Sequence, residues 1–215
     1  MQEANDKIQN LIIDNHYFNN VIYTKYLLKS THINILPFEP YQKMSFRNRC
    51  VIAGSNGLIN LTVPVENGRN QKCTFKAVRI SYREDWQKHH RRTLTSCYSK
   101  SAFFDYYRDA VEKFFLKKEE FLFDLNLGIL QWLKSVLRFP GEIVVQDEGW
   151  QPGNETPVVD VRDKWLPKNF QSAEASELCP VYFQVFEDRI GFQPNLSILD
   201  LLFNEGPAAS ALLMH

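Results

Sequence analysis

Apolar runs of period two and apolar stripes of period 3.6 alternate along the first third of the chain. Leu11-Ile12-Ile13 is a short continuous apolar run of the kind a buried strand shows, and it ends at Asp14-Asn15-His16. From Asn19 or Asn20, either a suitable N-cap, positions 21, 22, 25, 26 and 28 form one face of a helix that lasts until Ser30. In the following HINIL, Ile33 and Ile35 alternate with polar neighbours. Strand, helix and strand in about thirty residues make a βαβ unit. Its crossover is right-handed in nearly all proteins, and its strand ends face a crevice where ligands bind. Residues 15–20 and 37–49 therefore fall at the same end of a sheet.

Further on, extended runs at 49–53 and 58–65 flank a Gly-containing turn at 54–57 and predict a β-hairpin. The start, 1–9, reads as polar and frayed, and 66–72 as a polar loop. KAVRIS, 76–81, alternates like a strand. A helix beginning at Trp86 carries Trp86, His90, Thr93, Leu94 and Cys97 on one side, which puts His90 on the buried face and His89, Arg91 and Arg92 away from it. Two further amphipathic helices span 103–118 and 121–137, stopped by Pro140-Gly141. EIVVQ, 142–146, reads as a strand buried on both faces. Residues 147–170, rich in Gly and Pro, read as a surface excursion around a short strand at 158–161. An aromatic helix at 182–190 and a helix N-capped by Ser197 or Asn195 and closed by Gly206-Pro207 complete the chain. The expected fold is α/β: a Rossmann-like, mostly parallel sheet started by the βαβ unit, with a β-hairpin, flanking helices and a C-terminal helical extension. It is expected as a single domain, with 1–147 the core and 148–215 an excursion and helices packed on it.

Composition narrows the function classes. Lys plus Arg and Asp plus Glu are 25 each, so no overall basic excess steers the 215-residue chain onto nucleic acid or anionic lipid. Cys50, Cys73, Cys97 and Cys179 have neither CxxC nor zinc-ligand spacing, which predicts no metal and a reduced, cytoplasmic setting, and no basic-then-apolar leader opens the sequence. The most apolar stretch, 121–139, is broken by Asp124, Asn126, Gln131, Lys134 and Arg138, so no membrane span is expected.

The chemistry concentrates at the mouth of the hairpin. Tyr41, Lys43, Arg47, Asn48 and Arg49 lie within nine residues that contain no carboxylate, a set suited to holding an anion through charge-assisted and bidentate hydrogen bonds. Thr62, at the end of the second hairpin strand, joins them as a substrate-binding candidate. Alternation puts Arg47 and Arg49 on one side and Asn48 on the other, where its amide would close the loop. His90 and His16 are the candidates for general base, His16 because it sits at a strand end. Cys50 is a weaker candidate for a nucleophile.

These residues carry a resemblance. YxKxxFRNRCxI followed by LTVPV, a Trp-containing helix ending at Tyr98, and then FFDYY resemble the WbqC-like family, associated with O-antigen and other polysaccharide biosynthesis; YFQVF and GFQPNLSILDLLFNEGP resemble the tail of its Bacteroidetes-type branch. Members usually carry a proline-rich aromatic loop after the first strand and an aspartate pair before the Tyr, whereas this chain has His16-Tyr17-Phe18-Asn19-Asn20 and Pro37-Phe38. No aspartate role carries over at those positions. The resemblance implies a process, glycan assembly. Two functions fit it. One is a small cytoplasmic transferase taking an anionic activated donor, a nucleotide-sugar or an acyl carrier; the other is a non-catalytic binding or assembly protein of a glycan-biosynthesis complex. The HxGH phosphate signature of Rossmann-like nucleotidyltransferases is absent, since Tyr17 and Phe18 follow His16.

Overall fold

The computed structural model describes residues 7–67, 72–153 and 157–214, so most of the polar start and of the 66–72 loop lies outside the described residues. The βαβ unit is formed by β1 (Ile8–Ile13), α1 (Val21–Lys29) and β2 (Ser30–Ile35). Asn20 caps α1, its side-chain oxygen accepting the Tyr23 amide at 3.0 Å. β1 and β2 pair in parallel with Leu11 opposite Ile33 and Ile13 opposite Ile35. All four side chains are buried, as expected for central strands covered on both faces.

β5 (Glu142–Val145) pairs with β2 and β6 (Val158–Asp160) with β1, giving an all-parallel sheet of order β5-β2-β1-β6. β5 is an edge strand with its outer residues exposed, so the expectation of burial on both faces is corrected: among the described residues nothing pairs beyond it. The short strand within the 147–170 excursion belongs to the sheet rather than the surface, since β6 forms its other edge. β3 (Arg49–Gly54) and β4 (Gly57–Thr62) make the expected hairpin as a separate antiparallel sheet. Its turn needs Gly57, whose φ of 128° disfavours any side chain.

The KAVRIS segment is not a strand. Phe75–Ala77 is a 3-10 turn, after which the backbone alternates between two neighbours: Ile80 donates to Glu120 and Ser81 to Pro64, while Glu66 donates to Arg79 and Leu122 to Val78. No ladder forms because each neighbour takes single bridges only. α2 (Trp86–Tyr98), α3 (Phe104–Leu116) and α4 (Leu122–Leu137) follow as expected, and α4 ends on Arg138 in the left-handed conformation. The aromatic helix expected at 182–190 shrinks to α6 (Glu187–Ile190), because Tyr182 and Gln184 lie outside it and reach a buried carboxylate on α7. α5 (Ala173–Leu178) precedes it, and α7 (Ile198–Glu205), capped by Ser197, and α8 (Ala209–Met214) close the chain against α1. Among the described residues no helix is long and apolar enough to cross a membrane.

Candidate functional site

At the C-terminal end of β1 the chain enters a polar loop, residues 14–20, in which every residue is buried. Two other segments hold it. Tyr17 donates its amide to Phe46 from the 37–49 loop, while Val21 donates to Leu196, and Ile198 to Asn19, from the start of the tail. Ser197 Oγ also donates to the Phe18 carbonyl at 3.1 Å. Clamped from both sides, Phe18 adopts φ 44°, a left-handed conformation that is strained for a bulky residue.

Asp14 heads this loop, and one of its oxygens is shared by two donors of Arg47: Nε at 3.1 Å and Nη2 at 2.6 Å from Oδ1. Oδ2 accepts the Asp163 amide at 3.0 Å and lies 3.7 Å from His16 Nε2. The Tyr23 hydroxyl accepts the Asp14 amide at 3.2 Å and donates to the Val161 carbonyl at 3.0 Å, tying the ends of β1 and β6 through α1. Burial pushes the Asp14 carboxyl up, but His16 and the Arg47 guanidinium outweigh it and hold the group well below the usual carboxylate range. Arg47 Nη1 donates to the Pro40 carbonyl at 3.1 Å, and its guanidinium stacks 5.0 Å over the Phe75 ring.

Outward from this pair the charges continue. Glu39 lies 3.6 Å from Arg47 Nη2 and pairs with Arg162, which also grips Asp160. Burial raises the Glu39 carboxyl, and burial together with the Asp14 charge raises that of Asp163. Four carboxylates thus face two guanidinium groups at this end of the sheet, leaving no positive surplus around Arg47.

The other expected site residues fall into three places. Asn48 closes the loop onto the residue after β4, its Nδ2 donating to the Val63 carbonyl at 2.9 Å while its own carbonyl accepts the Val63 amide. Arg49 opens β3 opposite Thr62 and is half-buried. Its Nε is buried without a hydrogen-bond partner, and among the described residues its guanidinium meets no carboxylate. Tyr41 stands beside it: burial raises the phenol, while the Arg49 charge and then the Arg47 charge pull the other way. Lys43 is exposed on the same loop. His90 is elsewhere, 1% exposed, with Nδ1 2.9 Å from the Tyr17 hydroxyl and its ring held by the Thr62 backbone. Burial, then the neighbouring His89, lowers its pKa to about 4, so the ring is neutral at physiological pH and Nδ1 accepts the Tyr17 proton. Both of its nitrogens are engaged. His16 keeps Nδ1 buried and unpartnered. Burial pushes the Cys50 thiol up to about 12, which makes it inert as a nucleophile. Among the described residues no group of three or more His, Cys, Asp and Glu is set to hold a metal ion.

The profile of the WbqC-like protein family matches residues 16–178, from the buried loop through α5. The chain belongs to the WbqC-like protein family. A second comparison finds 28% identity over 205 residues, 81% of this WbqC-like chain and 84% of its relative, with a Mycobacterium tuberculosis protein named "Uncharacterized protein Rv1507c". No solved structure matches.

The sequence reading of this WbqC-like site missed Asp14 and Asn126. Asp14 read as the end of a strand, and nothing local connects it to an arginine 33 positions away. Asn126 sits in the second turn of α4, wholly buried, its Nδ2 donating to the Asn15 carbonyl at 2.8 Å and to the Arg47 carbonyl at 2.7 Å. It therefore joins the two loops that carry the pair. The signal was present: an amide on a stripe otherwise made of Leu122, Leu125, Ile129 and Leu133 has no reason to be there unless it meets backbone.

Proposed function

We propose that this WbqC-like chain is a small cytoplasmic transferase of cell-surface polysaccharide biosynthesis that holds the anionic part of an activated donor, a nucleotide-sugar or an acyl carrier, at Arg49. One observation supports this above the others: Arg49 is a half-buried guanidinium with a buried, unpartnered Nε and no carboxylate among the described residues. A guanidinium so placed offers a bidentate fork to phosphate or carboxylate, with Tyr41 beside it and Lys43 exposed on the same loop. In this reading Arg47 is a positioning residue. Its donors are occupied by Asp14 and Pro40, so it fixes the loop that presents Arg49. Proton transfer falls to His16, backed by Asp14 and with Nδ1 unpartnered, while His90, held by the Thr62 backbone, braces Tyr17.

A thermal-shift screen of the wild type, Arg49→Ala and Arg49→Lys against nucleotide-sugars, acyl-CoAs and free nucleotides tests the reading. One class should raise the wild-type Tm, leave that of Arg49→Ala unmoved and rescue little in Arg49→Lys, which keeps the charge and loses the fork. Stabilisation of Arg49→Ala equal to the wild type, or of neither, would overturn it. The assembly-protein alternative draws on a different feature, a groove of about 620 Å³ between α3, α4 and α8 on which Tyr106 is exposed.

A further inference from the structure

A separate cavity of about 160 Å³ lies between the start of β1, α1 and α5, and shares no residue with the Arg49 mouth. Ile8, Ile22, Tyr26 and Leu178 supply its apolar part. Its polar lining holds three ammonium groups, on Lys25, Lys29 and Lys164, and two carboxylates, on Glu174 and Glu177. Lys164 and Glu174 answer each other at 3.2 Å. Lys25 is drawn across the end of α5, donating to the Leu178 carbonyl at 3.3 Å.

Lys29 is different. Among the described residues it has neither a carboxylate within ion-pair distance nor a hydrogen-bond acceptor. Burial, and after it the like charge of Lys25 one helical turn away, lowers its pKa. Two cations one turn apart on the same helix face, above an apolar floor, leave a place where an anion would relieve their repulsion and a neutral molecule would not.

We propose that this cavity binds a small monocarboxylate with a flat apolar body, its carboxylate at Lys29 and Lys25 and its body against Tyr26, Ile22 and Leu178. The space sets the size: roughly 150 Å³ of apolar cavity accommodates a benzene ring. The Glu177 carboxylate in the lining, with no ion pair among the described residues, and the apolar floor select a single negative charge over a dianionic phosphate.

Isothermal titration of the full chain with benzoate, benzamide and inorganic phosphate tests this, using the wild type, Lys29→Gln and Arg49→Ala. Benzoate should bind the wild type about tenfold or more tightly than benzamide or phosphate, and about tenfold more weakly to Lys29→Gln. Lys29 is at the surface of α1 and outside the core, so Lys29→Gln should melt with the wild type, and Arg49→Ala should bind benzoate normally. Four results would each overturn the proposal: no saturable benzoate binding, equal binding of benzamide or phosphate, unchanged binding to Lys29→Gln, or loss of binding in Arg49→Ala, which would place benzoate at the other site.

Discussion

Arg47 Nη2 lies 2.6 Å from Asp14 Oδ1 with the two side chains 4% and 1% exposed, so the end of β1 and the loop before β3 are joined by a buried ion pair. Removing one partner strands the other charge in the interior. Asp14→Asn and Arg47→Met are each expected to cost about 3 to 5 kcal/mol, and the double variant less than their sum, because it leaves no lone charge. Urea unfolding of the two single variants and the double checks it; single variants costing under about 1 kcal/mol would show the pair to be solvated and weak.

Asp14 and Asp200 give stability opposite dependences on pH. The Asp14 carboxyl is held below its ordinary value, so its contribution is present above the unfolded pKa of 3.8 and is lost as pH falls. Asp200 is the reverse. Burial raises it from 3.8 to about 6, against the hydrogen bonds of Tyr98, Tyr182 and Gln184. The folded state then binds more protons than the unfolded one between those values, and stability from this group falls as pH rises through that window. Asp200→Asn removes that fall. Relative to the wild type it should therefore gain about 3 kcal/mol of stability between pH 3 and pH 7, read from denaturation midpoints at each pH. A difference that stays flat with pH would mean that the carboxyl titrates alike in both states.

Local signals made the βαβ unit and the hairpin readable. Leu11-Ile12-Ile13, the Asn20 cap and the Gly57 turn each state their conformation within a few residues. Arg47 lies in the turn before β3 and not in an extended run, so strict alternation does not govern how Arg47 and Arg49 are placed, although the charges of both reach Tyr41. What did not show locally was satisfied at long range. The Asp14 partner lies 33 residues on, and KAVRIS alternates like a strand yet bridges two segments that are not strands. Residues 182–184 look helical by composition and stay out of the helix, where Tyr182 and Gln184 both reach Asp200 Oδ2. Arg49 could be named from the sequence, but its lack of a carboxylate partner among the described residues could not, since an absent contact leaves no pattern.

The tail should prove structural. Phe203 packs with ring centroids 5.1 Å from both Tyr98 and Phe104, and Leu199, Leu201 and Leu202 are fully buried, whereas Phe183 faces solvent. Its start also clamps the 14–20 loop. Deleting residues 181–215 would open the Tyr98 and Phe104 face and release that loop, so the truncated protein should aggregate, as light scattering would report. A soluble truncation melting with the full chain would make the tail a docking segment for a partner.

Asn126 and Asn48 are alike in chemistry but differ in how much each holds. Asn48→Ala removes one amide contact, to the Val63 carbonyl, while the backbone bond from the Val63 amide to the Asn48 carbonyl survives. Asn126→Leu orphans two buried carbonyls at once, those of Asn15 and Arg47, in the loops that carry the ion pair. At about 1 to 3 kcal/mol for each buried group left unsatisfied, Asn48→Ala should cost about 1 to 3 kcal/mol and Asn126→Leu about twice that, despite the better helix propensity of Leu. Arg49→Ala should cost less than either, since its Nε has no bond to lose. Chemical denaturation of the three variants gives the order. If Arg49→Ala proved the most damaging, that guanidinium would be holding the fold rather than waiting for a ligand, and the proposed anion site would fall with it.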